Sequence, residues 1–377
     1  VVRGYDLLAA ACAEAHRRKR FLKSLTCRAR ERYPGSVSTP GSRRRRPTIY
    51  DVARLAGVST ATVSRALNDT GQVAAEKRLA IEAAVEQLGY RPNTIARSLV
   101  TRSTQTIALL LPDITNPFYA ELVAGIHELT LERGYTMLLC TTDFDPEQEE
   151  RYLRLLRGKH VDGALVDGLV LPPERIARFV EDGFPIVCLD RDVESPAVPL
   201  VQVDNRMGAG LATEHLLSLG HGRIAHIMGA PARISEQRLL GYQGSLADAG
   251  IAPDSALVAL GDFTEAGGHD AMRSLLAAAP DLTAVFAAND LSAIGAMSAI
   301  ATAGRSVPGD ISIVGFDDVR LSQYTSPPLT TVRQPAGEIA RHATELLLGM
   351  IGGHRPTKLH HPFAPELIVR GSTSSPS

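Results

Sequence analysis

No tryptophan occurs in the 377 residues, and phenylalanine and tyrosine bring the aromatic share to only 5%. Any core must therefore rest on aliphatic packing. The four cysteines, Cys12, Cys27, Cys140 and Cys188, form no CxxC pair and no zinc-ligand spacing, so nothing implies an oxidising compartment or a zinc fold. Cys140 and Cys188 sit in apolar runs and read as buried thiols. The eleven histidines include no HExxH, and His360-His361 reads as a surface pair, so no metal site is expected. No apolar run approaches the roughly 20 residues that span a bilayer, and no membrane association is expected. GxSxG and the Walker loop are also missing, and Gly208-Ala209-Gly210 lacks the third glycine of a dinucleotide fingerprint. Neither catalytic residues nor a cofactor are assigned.

What is present is a soluble, globular composition, 44% apolar, with length enough for two or three domains. The net charge of −1 conceals an asymmetry. Residues 43–105 hold 11 Lys and Arg against 5 Asp and Glu, whereas residues 106–377 hold 20 against 33. A basic module on an acidic body points to a polyanion partner at one end and another task at the other. Residues 1–47, with basic runs Arg17–Arg20 and Arg43–Arg46 and a Pro/Gly/Ser/Thr-rich stretch from Pro34 to Gly41, read as a disordered basic extension. Leu8-Ala9-Ala10-Ala11-Cys12 has the outline of a lipoprotein processing site. The apolar run before it is too short for a signal peptide, and cations follow it.

Thr48–Asn68, TIYDVARLAGVSTATVSRALN, reads as two short helices joined by a tight turn. Ile49, Val52 and Ala56 share one face of the first helix, and Gly57 breaks it. Ser59 suits the N-cap of a second helix from Thr60 to about Leu67. There Val63 and Leu67 point inward, while Thr60, Ala61, Ser64 and Arg65 face out. Such a flat polar surface with one long cation fits a DNA major groove, where arginine pairs with guanine through two bonds. A plain pair of surface helices gives the same periodicity.

Tyr50-Asp51-Val52-Ala53, Ala56-Gly57-Val58-Ser59, Thr62-Val63-Ser64-Arg65 and Asn68 together resemble the DNA-binding headpiece of the Lac repressor family of bacterial transcription regulators. Weaker motifs extend the resemblance to about Gly371. Members of that family begin just ahead of the counterpart of Thr48, so the extension is expected to be disordered or to reflect an upstream start. The resemblance implies DNA contacts by Tyr50, Ser59, Thr60, Ala61, Ser64, Arg65 and Asn68. Arg65, Thr60 and Ala61 would meet base edges, and Ser59, Ser64 and Asn68 phosphates.

A third helix is expected from about Ala75 to Leu88, its stripe of Ile81, Ala84, Val85 and Leu88 closing a small core over Val52 and Val63. Gly89 ends it and Pro92 prevents its resumption. Ala74 stands where the family usually has a hydroxyl cap, so roughly 1 kcal/mol of capping is missing. Asn93–Leu99 can form one or two helical turns, too short to be stable alone. It resembles the family's hinge helix, which implies Leu99 as the apolar wedge between base steps in the minor groove.

From Thr106 strands and helices alternate. The apolar runs Ile107–Leu111, Thr136–Cys140, Gly163–Val166 and Pro185–Leu189 form one series; Ile224–Ile227, Ala256–Leu260, Ala284–Ala287 and Ile311–Gly315 form a second. Two βα series argue for two doubly wound parallel sheets. The fold class is thus an α-helical headpiece followed by α/β lobes. The resemblance implies lobes of the periplasmic-binding-protein type, with chain crossings near Val203, Thr330 and residues 350–356. The expected domains are a headpiece over 48–91, a hinge over 92–105, one lobe from 106–203 with 333–349, and another from 204–332 with 350–371.

Ligands of open parallel sheets bind beyond the carboxyl ends of strands. Those positions hold Phe118, Asp190, Arg191, Arg238, Phe263, Asp290 and Asp317, with Arg238 expected at the start of its helix. Carboxylates that accept hydroxyl hydrogens, a guanidinium that donates, and aromatic faces suit a sugar or a nucleoside or purine. The reading is a cytoplasmic, homodimeric regulator that binds double-stranded operator DNA under control of that small effector. The rival is a transport-type solute-binding protein, which shares the two-lobe body but starts with an export signal in place of a headpiece.

Overall fold

The computed structural model describes residues 47–68, 71–91, 103–143, 145–158, 160–167, 174–190 and 198–376. The basic runs, the hinge segment with Leu99, and Arg191 lie outside them. Two compact units meet between Arg102 and Ser103.

The smaller unit has three helices, α1 (Ile49–Leu55), α2 (Thr60–Asn68) and α3 (Ala75–Leu88). Thr48 opens α1, donating its N–H and hydroxyl to Asp51 Oδ2 at 2.9 and 2.7 Å. Gly57 takes the left-handed conformation of the turn, φ +65°. Ser59 Oγ then accepts the Thr62 N–H at 3.2 Å, the capping bond expected for α2. Val52, Val63 and Ile81 are fully buried together, with Leu67, Val85 and Leu88 half-buried around them. Each full burial of this kind contributes roughly 1.5–3 kcal/mol. Ala74 leaves α3 without a side-chain cap, as its composition dictates. At the other end Gly89, φ +60°, donates to the Val85 and Glu86 carbonyls and stops the helix.

The larger unit contains two six-stranded sheets. The first uses β1 (Thr106–Leu111), β2 (Thr136–Thr141), β3 (Gly163–Asp167), β4 (Ile186–Leu189), β5 (Leu200–Val203) and β11 (His360–Phe363), ordered β11-β5-β4-β3-β1-β2 and all parallel. The second uses β6 (Ile224–Met228), β7 (Val258–Leu260), β8 (Ala284–Ala287), β9 (Ser312–Asp317), β10 (Thr330–Arg333) and β12 (Glu366–Ile368), ordered β12-β10-β9-β8-β6-β7. Only β12 runs antiparallel there.

Helices cover both faces of each sheet. In the first lobe α4 (Pro117–Glu132) lies on one side of β1, α5 (Pro146–Arg157) and α6 (Glu174–Glu181) on the other. Ile107, Leu109 and Leu111 enter one core and Ala108 and Leu110 the other, so a continuous apolar strand serves two layers. In the second lobe α7 (Asn205–Ser218) and α8 (Arg233–Asp248) share one face, α9 (Glu265–Ala278) and α10 (Asp290–Thr302) the opposite one. Helix α11 (Ala336–Ile351) returns to the first sheet through Ile339, Ala340, Ala343 and Leu347.

Two expectations change. The third crossing between lobes falls between Phe363 and Glu366, not at 350–356, because His360–Phe363 hydrogen-bonds beside β5 before β12 joins the second sheet. Helix α8 begins at Arg233, so Arg238 stands in its second turn rather than at its start. The opening stretch, Arg233 to Arg238, is mostly polar and hides the helical period. Cys140 and Cys188 are buried and in no disulfide, and burial pushes the Cys140 thiol up to about 11.

Candidate functional site

Helix α2 packs on Val63 and Ala66 and turns Ala61 and Arg65 outward, both exposed. Ser59 is exposed at its cap, and Thr60 and Ser64 are half-buried. Arg65 Nε donates to the Ala61 carbonyl one turn earlier at 3.3 Å. On α1, Tyr50 is 71% exposed, unusual for so large a ring. One small unit thus presents a tyrosine, hydroxyls and an arginine on exposed helical turns. The Asn68 side chain lies outside the described residues, as does Leu99.

The second site is a cleft at the carboxyl ends of both sheets. Of the residues expected there, Phe118, Asp190, Arg238, Phe263 and Asp317 line it. Arg238 is buried and held from several sides. Its Nε donates to Asn205 Oδ1 at 2.8 Å, its Nη1 to the Ala288 carbonyl, and its Nη2 lies 4.0 Å from Asp317 Oδ1. Asp190 is contributed by the first lobe and accepts the Val203 N–H at 3.1 Å. Asp317, from the second, accepts from the Gln334 side chain at 2.7 Å.

Burial dominates the electrostatics. It raises Asp190 and Asp317 each to about 6, with Arg238 pulling both back down. Tyr119 rises well above its ordinary value, first from burial and then from Asp167 and Asp190. Burial lowers Arg238, against the attraction of Asp317 and Asp190. The two lobes therefore share a web of charge in which a single guanidinium faces carboxylates from both sides. Asp190, Phe263 and Asp317 also hold positive φ, +49°, +67° and +112°. Non-glycine residues there cost roughly 1–3 kcal/mol each and gather at ligand clamps.

Asp290, expected to face the ligand, does not line the cleft. It is fully buried, accepting the Val319 N–H at 2.9 Å on one oxygen and the Thr331 hydroxyl on the other. Its neighbour Asn289 lines the cleft instead, capping α10 through Oδ1 and donating Nδ2 to the Phe263 carbonyl at 2.9 Å. The cap residue reaches back over the helix end, while the first helical residue turns into the sheet. That one-residue difference was beyond periodicity alone.

Sequence reasoning also missed Asp113, Ile234, Asp262 and Gln334 as lining residues. Gln334 had no signal, since it follows β10, a strand paired on both sides, at a chain crossing. Its Oε1 is buried with no partner among the described residues, an acceptor open to a ligand hydroxyl. Asn116 and Tyr119, which follow β1 in the chain, line the cleft as well. The arrangement offers hydroxyl acceptors, one guanidinium and aromatic faces. No nucleophile–base pair is apparent among these lining residues.

Comparison with known proteins places both parts. Residues 48–93 match the model of bacterial regulatory proteins of the lacI family, and residues 213–373 match a periplasmic binding protein-like domain. The HTH-type transcriptional regulator CelR of Thermobifida fusca is 40% identical over 338 residues, 88% of this chain and 99% of its own. The solved complex of the transcriptional regulator CelR with cellobiose superposes with a TM-score of 0.67 at 38% identity, over 87% of this chain and 100% of that one. The Lac repressor dimer bound to operator and the anti-inducer ONPF gives 0.79 at 29% identity, over 88% of this chain and 100% of that one.

Proposed function

This chain belongs to the lacI family of bacterial regulatory proteins, and we propose that it is a homodimeric, sequence-specific transcription repressor whose grip on operator DNA is set by a sugar bound between its lobes. The observation that carries this reading is the joint presence of an exposed helix-turn-helix and a polar cleft built from both lobes of one α/β body. A transport-type solute-binding protein accounts for the second feature and not the first.

In the reader, Arg65, Thr60 and Ala61 meet base edges, while Tyr50, Ser59, Ser64 and Asn68 hold the sugar-phosphate backbone. Leu99 wedges the minor groove at the hinge. The domain limits follow: a reader over 48–91, a hinge over 92–105, and two lobes joined by three crossings. Dimerisation is supported by the edge strand β2, where Leu138 and Leu139 are each 38% exposed. An apolar sheet edge of this kind calls for a partner. A DNA reader of this class works in the cytoplasm, where operator DNA is.

In the cleft, Asp190, Asp317 and Gln334 accept hydroxyl hydrogens, Arg238 and Asn289 donate, and Phe118 and Phe263 offer faces to the sugar's carbon skeleton. The relative CelR is solved with cellobiose, a ligand of this polyhydroxyl class. Because Asp190 comes from one lobe and Arg238 and Asp317 from the other, a bound sugar favours one lobe orientation. It shifts the DNA-binding equilibrium only by its difference in affinity for the two orientations.

Gel-shift competition at raised salt tests the reading, with native promoter fragments against random duplex, with and without cellobiose. A preference for one promoter, altered by sugar, is expected. Equal binding to all duplexes would overturn the proposal.

A further inference from the structure

Gly229 follows β6 and is buried. Its φ lies outside the left-handed region, so the backbone does not demand glycine there. Phe263 does. A Cβ added at Gly229 would lie 2.0, 2.2 and 2.4 Å from the ring's Cζ, Cε1 and Cε2. Touching carbons need roughly 3.5–4.0 Å. The tip of the ring therefore rests on bare backbone, where any other residue would place a carbon.

The loop that carries the ring is pinned. Gly261 donates to the Met228 carbonyl at 3.0 Å, tying this loop to the one that holds Gly229. Asp262 Oδ1 accepts the Thr264 N–H and hydroxyl at 3.0 and 2.6 Å. Asn289 Nδ2 holds the Phe263 carbonyl at 2.9 Å, and φ at Phe263 is +67°. A methyl at Gly229 must then be accommodated mainly by the ring, displaced by about 1.5 Å to regain ordinary contact. The open space beside the ring is the cleft that it lines.

We infer that Gly229 is a specificity-determining residue of the cleft: its missing side chain is the seat that sets how far the Phe263 ring stands back, and so the room left for an effector. Gly229 acts through Phe263 and is a positioning residue. The inference rests on the sugar-binding reading only for the nature of the ligand, since the steric relation stands by itself.

The test uses the full chain and three variants, Gly229→Ala, Phe263→Ala and the double replacement. Calorimetry with cellobiose, glucose and ribose measures affinity. The sugar that the wild type binds most tightly should bind Gly229→Ala at least about tenfold more weakly, a change of roughly 1.4 kcal/mol. The double variant should match Phe263→Ala within about twofold, because the three atoms nearest to the added methyl all belong to the ring. Unchanged affinity in Gly229→Ala, or a full second loss in the double variant, overturns the inference. A crystal structure of Gly229→Ala decides the steric relation without any ligand: the ring should enter the cleft by more than about 1 Å, and an unmoved ring overturns the inference. Should Gly229→Ala fail to fold, the double variant should fold; failure of both overturns it. If none of the three sugars binds the wild type, the sugar reading fails for this panel, while the crystal structure still decides the role of Gly229.

Discussion

The guanidinium of Arg238 lies over the ring of Phe316, its Cζ 3.6 Å from the ring centroid. A buried cation is costly, and a desolvated cation–ring contact recovers about 2 kcal/mol of that cost. The stack also fixes the plane in which the Arg238 N–H groups reach Asn205 and the Ala288 carbonyl. Each partner matters to the cleft for that reason.

Arg238→Lys keeps the charge and loses the plane. Lysine has no fork to serve two acceptors and stacks poorly. Sugar affinity should fall by at least about tenfold in calorimetry, and operator affinity without sugar should change much less. Equal sugar affinity in the two proteins would remove Arg238 from the binding set.

Asp317 gives the cleft a pH dependence. Burial raises it from 3.8 to about 6, against the pull of Arg238. The fold therefore holds the proton more tightly than the unfolded chain does. This contribution to stability is complete below pH 3.8 and is lost as pH rises through about 6. Urea midpoints of wild type and Asp317→Asn should accordingly diverge in favour of the wild type as pH falls from 7 to 4. A constant difference would show that Asp317 titrates normally.

His226 pulls the other way. It stacks between Phe286 and Tyr242, with ring centroids 4.8 and 5.2 Å away, and burial lowers it to about 4. Its ordinary value is 6.5, so its stabilisation is complete above that pH and is lost as pH falls towards about 4. Against His226→Phe, which keeps a stacked ring and cannot charge, the wild type should lose ground between pH 6.5 and 4. Parallel unfolding curves at all pH values would contradict this.

Ala74 precedes α3 in extended geometry, φ −55° and ψ 141°, and offers no cap. Ala74→Ser should stabilise the headpiece by about 1 kcal/mol. Hydrogen exchange of the α3 amides in the full chain reads this directly, and unchanged protection would mean the serine does not cap.

If Arg65 pairs with a guanine as proposed, Arg65→Ala should cost about 1–3 kcal/mol of discrimination between operator and a single-base variant at that guanine. Sugar affinity should be untouched. An operator preference identical to wild type would move base reading to other residues.

The chain determined much by itself. Gly57, Ser59 and the inward spacing of Val52, Val63 and Ile81 make three helices locally, because capping and amphipathic period act over a few residues. Apolar runs such as Ile107–Leu111 declare strands buried on both faces, and their alternation with helices declares two parallel sheets. Asp190, Phe263 and Asp317 were legible because strand ends point to one rim.

Only tertiary structure decided which neighbour faces the cleft. Asn289 and Asp290 differ by one position, and the sheet surface, not the helix, turns the carboxylate inward to Thr331 and Val319. Gln334 reaches Asp317 only because β10 lies beside β9, and His360–Phe363 joins the first sheet only because β5 leaves an edge free. Pairings between residues far apart in the chain are set by packing of whole lobes, which no local pattern encodes.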